Sequence, residues 1–318
     1  MAYSKKTIKD VRELTEKYGV NSAARMLGKS LETVKRINRK YGEVDVIIDK
    51  NAHLPKVLVF DIETSPILAR VWSLWKQNVS LNMIKEDWFI LSYAAKWLGE
   101  DEVMYEDLRG VIDDTSKGFR DEGLLQGIWE LLDQADVVIT QNGINFDSKK
   151  LNARFVINGY QPPSGYKHID TLRIAKRAFA FTSNKLEYMT DKLCKKYKKT
   201  KHANFSGFEL WKECLADNIE AWKEMEEYNR DDVLSLEELY TIIAPWDDKH
   251  VNFNLYTDPK LGHVCRCGST NIRKKGFAYT QVSKFQKYRC GDCGAETRGR
   301  VNLIDKDDRK LLHLNITN

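Results

Sequence analysis

Lys56-Val-Leu-Val-Phe-Asp-Ile-Glu-Thr64 is an apolar strand interrupted by two carboxylates, Asp61 and Glu63. Side chains alternate across a strand, so these two acids point to the same side, about 7 Å apart along the chain. Like charges on one face of an otherwise buried strand repel each other and are costly to desolvate, which calls for a compensating cation. A divalent metal bridging them supplies it. Working outward, further strands are expected at 68–75, 88–97 and 103–106, then a helix over 122–134 and a strand over 135–140. Trp72, Trp75, Trp88 and Trp97 fall in these strand-like stretches and are expected in the core rather than in a base-stacking platform.

After the strand at 135–140 comes Gln141-Asn-Gly-Ile-Asn-Phe-Asp147. The Asn-Gly pair marks a turn, so Asp147 is placed at the start of a helix running to Ile157. About 80 residues further on, 218–240 lacks Gly and Pro and carries Ile219, Trp222, Met225, Val233, Leu236 and Leu239 at helical spacing. On that helix Tyr228 and Asp232 are four apart and share a face. Asp170 is either a further carboxylate beside the others or the N-cap of the helix after it.

An Asp-x-Glu strand, an Asn-Gly-x-x-Phe-Asp element and a Tyr-x-x-x-Asp helix, in that order, resemble the three motifs of the DEDD 3′-to-5′ exonuclease superfamily in its tyrosine branch. Within that branch the chain is most similar to the exonuclease domain of family B DNA polymerases and its stand-alone, often phage-encoded relatives. Asp170-Thr-Leu-Arg-Ile-Ala-Lys176, Ser183-Asn-Lys-Leu186 and Tyr228-Asn-Arg-Asp-Asp-Val233 support it. The resemblance implies an α/β, ribonuclease H-like mixed sheet whose first strands run antiparallel, packed by helices. It implies that Asp61, Glu63, Asp147 and Asp232 hold two Mg²⁺ or Mn²⁺ ions, and that Tyr228 positions the attacking water. Hard oxygen ligands suit such ions. One ion would activate the water and the other would stabilise the leaving 3′ oxygen. Asp231 stands beside Asp232, and the Tyr-x-x-x-Asp count selects Asp232.

Charge divides unevenly along the 318 residues. Residues 1–50 carry 12 basic and 7 acidic side chains, 263–300 carry 9 and 2, and the stretch 51–262 between them carries 27 and 34. Basic ends attract phosphate backbones, whereas an acidic middle repels them unless cations neutralise it. In the middle, Lys192, Lys195, Lys196, Lys198, Lys199 and Lys201 surround Tyr197; the tract either tracks the phosphates of a single strand or is a solvated helix end and loop.

Residues 1–42 read as three short helical segments, at about 7–18, 23–27 and from Ser30 onward. The stretch Asn21 to Arg36 resembles a helix-turn-helix core, with Lys29, Lys35, Arg36, Arg39 and Lys40 making the third helix basic enough for the edge of a duplex. The alternative is a three-helix packing module with a solvated face. At the other end, Cys265-Arg-Cys267-Gly and Cys290-Gly-Asp-Cys293-Gly flank a basic hairpin-like stretch and resemble a zinc ribbon, implying one Zn²⁺. The first knuckle is Cys-x-Cys rather than Cys-x-x-Cys, so Cys265 or His263 is the fourth ligand. A segment this short needs the metal for most of its stability. Ribbons of this kind bind nucleic acids or proteins. Cys194 and Cys214 read as isolated buried or free thiols.

The expected organisation is therefore a helix-turn-helix at 1–42, a linker at 43–55, an exonuclease domain at 56–246, a linker at 247–261, a zinc ribbon at 262–301 and a tail at 302–318. No apolar run reaches the length of a membrane helix and six cysteines are too sparse for a disulfide scaffold, so a cytoplasmic protein of a bacterial or phage-infected cell is expected, with no membrane contact. The expected substrate is DNA, its 3′ end single-stranded in the acidic site and its duplex held by the helix-turn-helix. Only about 70 residues follow the exonuclease motifs, so the protein is expected to act alone or to serve a DNA polymerase or another replication or recombination protein in trans. An RNA 3′ exonuclease and a non-catalytic DNA-binding regulator or recombination adaptor are the competing expectations.

Overall fold

The computed structural model describes residues 54–112, 120–197, 204–256, 263–314 and 316, and in the first 53 residues only 7, 10, 11, 14, 15, 23, 24, 26–30, 33, 34 and 37. The chain divides into two compact units, Met1–Ala52 and His53–Asn318.

In the first unit, the described residues at 7–15, 23–26 and 33–37 are helical. Ser30 caps the last of these stretches, its hydroxyl accepting from the Thr33 N–H at 3.2 Å. Gly28 takes a positive φ of 58° in the turn before it. Val11, Ala23, Ala24, Val34 and Ile37 are buried together, with Leu14 and Leu27 packed against them. Lys29 is half-buried, while Lys35, Arg36, Arg39 and Lys40 lie outside the described residues.

The second unit is built on a five-stranded sheet ordered β5-β4-β1-β6-β7. Its strands are β1 (Val57–Thr64), β4 (Ile90–Trp97), β5 (Met104–Asp107), β6 (Val137–Thr140) and β7 (Lys167–Asp170); β2 (Leu68–Ala69) and β3 (Ile84–Glu86) form a separate two-stranded ribbon. β1, β4 and β5 run antiparallel, and β6 and β7 continue parallel to β1. The strand expected at 68–75 is cut to two residues, because 70–76 leaves the sheet altogether. Trp72 and Trp75 are accordingly 94% and 83% exposed and not in the core. Trp88 and Trp97 do pack against it.

Alternation along β1 assigns each face its layer. Leu58, Phe60 and Ile62 join Leu124, Leu125, Ile128 and Leu132 of α1 (Glu122–Gln134), and Leu151 and Phe155 of α2 (Asp147–Ile157). Val57 and Val59 join a second cluster with residues of α3 (Thr171–Ala178), α4 (Leu186–Leu193) and the later half of α6 (Ile219–Ile243). The beginning of α6 and α5 (Phe208–Leu215) close the first cluster through Trp222, Met225, Leu210 and Cys214. Asp61 and Glu63 share the parity of Val57 and Val59, so they face α6. Cys194 and Cys214 are buried and in no disulfide, and the Cys194 thiol donates to the Ser235 carbonyl at 3.8 Å.

Two ion pairs fasten the layers. Lys96 of β4, buried in the sheet, pairs with Glu237 of α6. Asp121, fully buried, takes Arg154 of α2 in a bidentate pair, Nε to Oδ2 at 2.7 Å and Nη2 to Oδ1 at 2.6 Å, and also accepts the Ile90 N–H at 2.9 Å. Removing one partner of such a pair strands the other without solvent. Asp121→Ala is expected to lower unfolding stability by about 3–5 kcal/mol, read as a fall in the urea midpoint; a loss below about 1 kcal/mol, the scale of a surface pair, would show that the pair is not structural.

The C-terminal part carries a three-stranded antiparallel sheet ordered β10-β9-β8, from β8 (Ile272–Thr280), β9 (Ser283–Cys290) and β10 (Glu296–Asn302). A short helix, α7 (Lys306–Lys310), follows and is capped by Asp305.

Candidate metal centres

Three of the four acids singled out in the sequence converge. Asp61 and Glu63 near the end of β1 and Asp232 on α6 bring carboxylate oxygens within 4.8 Å of one another. The α6 face that meets β1 also supplies Tyr228, one turn before Asp232. Burial first, then the charges of Asp232, Glu63 and Asp61, push the Tyr228 phenol far above its usual range. Those influences favour the neutral phenol.

Two residues that the sequence reading did not single out hold the acids in place. Asn229 is fully buried, donates to Asp61 Oδ2 at 2.8 Å and accepts from the Ser92 hydroxyl at 3.3 Å. Its signal was available: a polar residue at a buried position of an amphipathic helix, three residues before Asp232. Trp211 of α5 donates its indole N–H to Glu63 Oε2 at 3.2 Å and meets the Tyr228 ring edge-on at 6.1 Å. No local pattern announces it, because its partner lies 148 positions earlier in the chain.

Asp147 stands apart from the group of three. It opens α2 as expected, is buried, and its Oδ1 accepts the N–H of Ile62, the residue between Asp61 and Glu63, at 3.3 Å. Burial pushes its pKa up to about 7 against the pull of backbone N–H donors, and the charge of Asp170 adds to the rise. A cation beside it would hold it ionised. The loop before it is tight: Asn142 has φ of 68°, and a Cβ on Gly143 would fall 2.2 Å from Thr140 Oγ1. Asp170 serves as the clamp of that loop. It accepts from the N–H groups of Asn142 at 3.0 Å and Ile144 at 3.4 Å, and it caps α3 through Leu172 at 3.0 Å.

All donors in the acidic group are hard oxygens, the set that Mg²⁺ or Mn²⁺ takes while keeping waters. Asp61, Glu63 and Asp232 fit such an ion, with Asp147 behind them. Of the basic tract, Lys195, Lys196 and Tyr197 turn their backbone N–H groups onto the Glu238 carboxylate of α6 at 2.7–3.2 Å. Lys198 and Lys199 lie outside the described residues.

The C-terminal cysteines form the second cluster. The Sγ atoms of Cys265, Cys267, Cys290 and Cys293 all lie within 4.8 Å of one another, with Cys265–Cys293 at 3.7 Å and Cys267–Cys290 at 3.9 Å. A tetrahedron with Zn–S bonds of about 2.3 Å has edges of about 3.8 Å. The cluster fits a zinc ribbon. Both turns place glycine at positive φ just after a cysteine, Gly268 at 90° and Gly294 at 75°. Cys265 occupies the fourth corner. His263 lies outside the group, its ring against Tyr288 with centroids 5.1 Å apart. Burial works against ionising Cys290, but backbone N–H donors of Cys293 and Asp292 bring it down to about 7. Arg266, inside the first turn, donates to the carbonyls of Ala244 at 3.1 Å and Pro245 at 3.0 Å, seating the ribbon on the end of α6.

Protein purified without chelator is expected to hold one zinc per chain by elemental analysis. Cys265→Ser should lose most of it and His263→Ala should retain it; the reverse ranking would return the fourth position to the histidine.

Residues 99–244 match the family model of the RNase_H superfamily. The match runs from before β5 through α6, including Asp147, Tyr228 and Asp232 and leaving Asp61 and Glu63 upstream. No curated protein matches the chain. Among solved structures, the family B DNA polymerase from the hyperthermophilic archaeon Pyrobaculum calidifontis is similar at a TM-score of 0.42 and 14% identity, over 73% of this chain and 32% of that one. The chain thus spans about a third of that polymerase's length. None of the described helices is long and apolar enough to cross a membrane. A mixed five-stranded sheet with flanking helices and the match of residues 99–244 to the RNase_H superfamily model together show a ribonuclease H-like fold for the central domain.

Proposed function

We propose that the chain is a metal-dependent 3′-to-5′ exonuclease that hydrolyses phosphodiester bonds at DNA ends. The observation that carries this reading is the meeting of Asp61, Glu63 and Asp232 within 4.8 Å, with Tyr228 one turn before Asp232 on α6. The RNase_H superfamily match supports a nuclease in general. The DNA preference, direction of digestion and number of ions rest on the motif order and the basic ends. In this reading 56–246 is the exonuclease domain, 1–42 a duplex-holding helix-turn-helix and 262–301 a zinc ribbon.

The residues divide the work according to their chemistry. Asp61, Glu63 and Asp232 would hold the Mg²⁺ or Mn²⁺ ions, which when bound would acidify a water and stabilise the leaving oxygen, while Asp147, set behind Ile62, is the fourth acid that the motif order assigns to the site. Tyr228, whose phenol is favoured in its neutral form, orients that water through its hydroxyl. Asn229 fixes the Asp61 carboxylate and Trp211 that of Glu63, so neither rotates away when the substrate phosphate arrives. The acidic surroundings repel phosphate until cations are bound, making cleavage strictly metal-dependent.

End-labelled single-stranded DNA and RNA incubated with Mn²⁺ or EDTA test this directly. The expected outcome is stepwise shortening of DNA from the 3′ end with Mn²⁺ and none with EDTA. Preferential digestion of RNA would reassign the substrate, and no cleavage of either with Mn²⁺ would leave a binding protein. Asp61→Asn and Asp232→Asn should each abolish cleavage without lowering the melting temperature, because repulsive charge is removed. Tyr228→Phe should slow it roughly 100-fold, the scale of loss when a reactant is held out of place; activity within threefold of the wild type would remove Tyr228 from the mechanism.

A further inference from the structure

Residues 66–88 form an arm with no core of its own. None of them is buried. The β2–β3 ribbon anchors its base, with the Arg70 N–H donating to the Met83 carbonyl at 2.9 Å and Arg120 pairing with Glu86 at 3.0 Å. Beyond that base the side chains open to solvent: Trp72 is 94% and Trp75 83% exposed, with Leu74 and Leu81 alongside. Exposing this much apolar surface is unfavourable unless something covers it.

Charge indicates what covers it. Between Glu63 and Glu86 there is no acidic residue, whereas Arg70, Lys76 and Lys85 are all present and exposed. This stretch lies inside the acidic segment 51–262, with its 34 acids. An acid-free arm in that setting is compatible with a polyanion, and two exposed indoles separated by two residues suit flat apolar groups. A nucleic-acid strand offers both features at once, since bases stack on aromatic faces whatever their sequence. The position agrees. The arm leaves β1 directly after Asp61 and Glu63, at the end of the strand that carries the acidic cluster.

We propose that this arm is a strand-binding subsite, in which Trp72 and Trp75 stack on bases and Arg70, Lys76 and Lys85 meet the phosphates of the strand whose end reaches the Asp61 cluster. It rests on the nuclease reading for the identity of its ligand, and its test is separable from that reading.

The measurement is fluorescence anisotropy of a labelled 12-nucleotide oligothymidylate in EDTA, where nothing is cleaved, together with hydrolysis of thymidine 5′-p-nitrophenyl phosphate in Mn²⁺. The Trp72→Ala/Trp75→Ala double variant should bind the oligonucleotide at least tenfold more weakly than the wild type. Trp72→Phe/Trp75→Phe should recover most of the loss. The small ester reaches only the acidic cluster, so the alanine variant should hydrolyse it at the wild-type rate, whereas Asp61→Asn should not hydrolyse it. Unchanged oligonucleotide affinity in the alanine variant overturns the subsite. Unchanged affinity accompanied by loss of wild-type self-association in sedimentation overturns it in favour of a contact between copies. Weakened binding in a protein whose wild type never hydrolyses the ester supports the arm and refutes the nuclease.

Discussion

Carboxylates crowded within 4.8 Å repel each other, and the central domain is arranged to hold Asp61, Glu63 and Asp232 there. The energy comes from elsewhere. β1 is the middle strand of the sheet, its two faces locked into separate hydrophobic clusters, so the strand end cannot swing to relieve the repulsion. α6 is held against it by a buried lysine–glutamate pair and by Val233, Leu236 and Leu239. Asn229 and Trp211 then cancel part of the charge by donating hydrogen bonds, leaving the rest for a cation. A site that is destabilising when empty is one that binds a divalent ion strongly once it is offered.

The same helix links the two candidate metal sites. Tyr228, Asn229 and Asp232 occupy its middle, and the carbonyls just past its C-terminal end accept the Arg266 guanidinium from the first cysteine turn. The four-cysteine module is therefore seated on the end of the element that carries part of the acidic cluster. A ribbon that unfolds on losing its metal would free those carbonyls and loosen the end of α6.

Much of this was legible in the sequence, for physical reasons that can be named. The Asp-x-Glu on β1 could be read because strand parity fixes its face, and α1 was read to the residue because its apolar spacing is unbroken. Asp147 was placed at a helix start by the Asn-Gly turn, but its burial behind Ile62, outside the group of three, depends on how α2 docks. Asp170 had two readings, and the structure uses it to cap α3 and clamp the loop. Trp72 and Trp75 were misplaced because aromatic and β-branched residues favour strands, and nothing local says that no neighbouring strand exists for them to pair with. Trp211 was invisible for a related reason: its role depends on a partner far away in the chain. The choice between Cys265 and His263 needed the three-dimensional positions of the sulfurs, which spacing alone leaves open.

The central claim is that acids from distant segments form one divalent-cation site, and anomalous diffraction from Mn²⁺-soaked crystals tests it most directly. The expected result is a strong manganese peak bonded to oxygens of Asp61, Glu63 and Asp232 at roughly 2.1–2.3 Å. Its disappearance in Asp232→Asn crystals would tie it to this group. Manganese bound only elsewhere, with these three carboxylates bare at millimolar metal, would contradict the account.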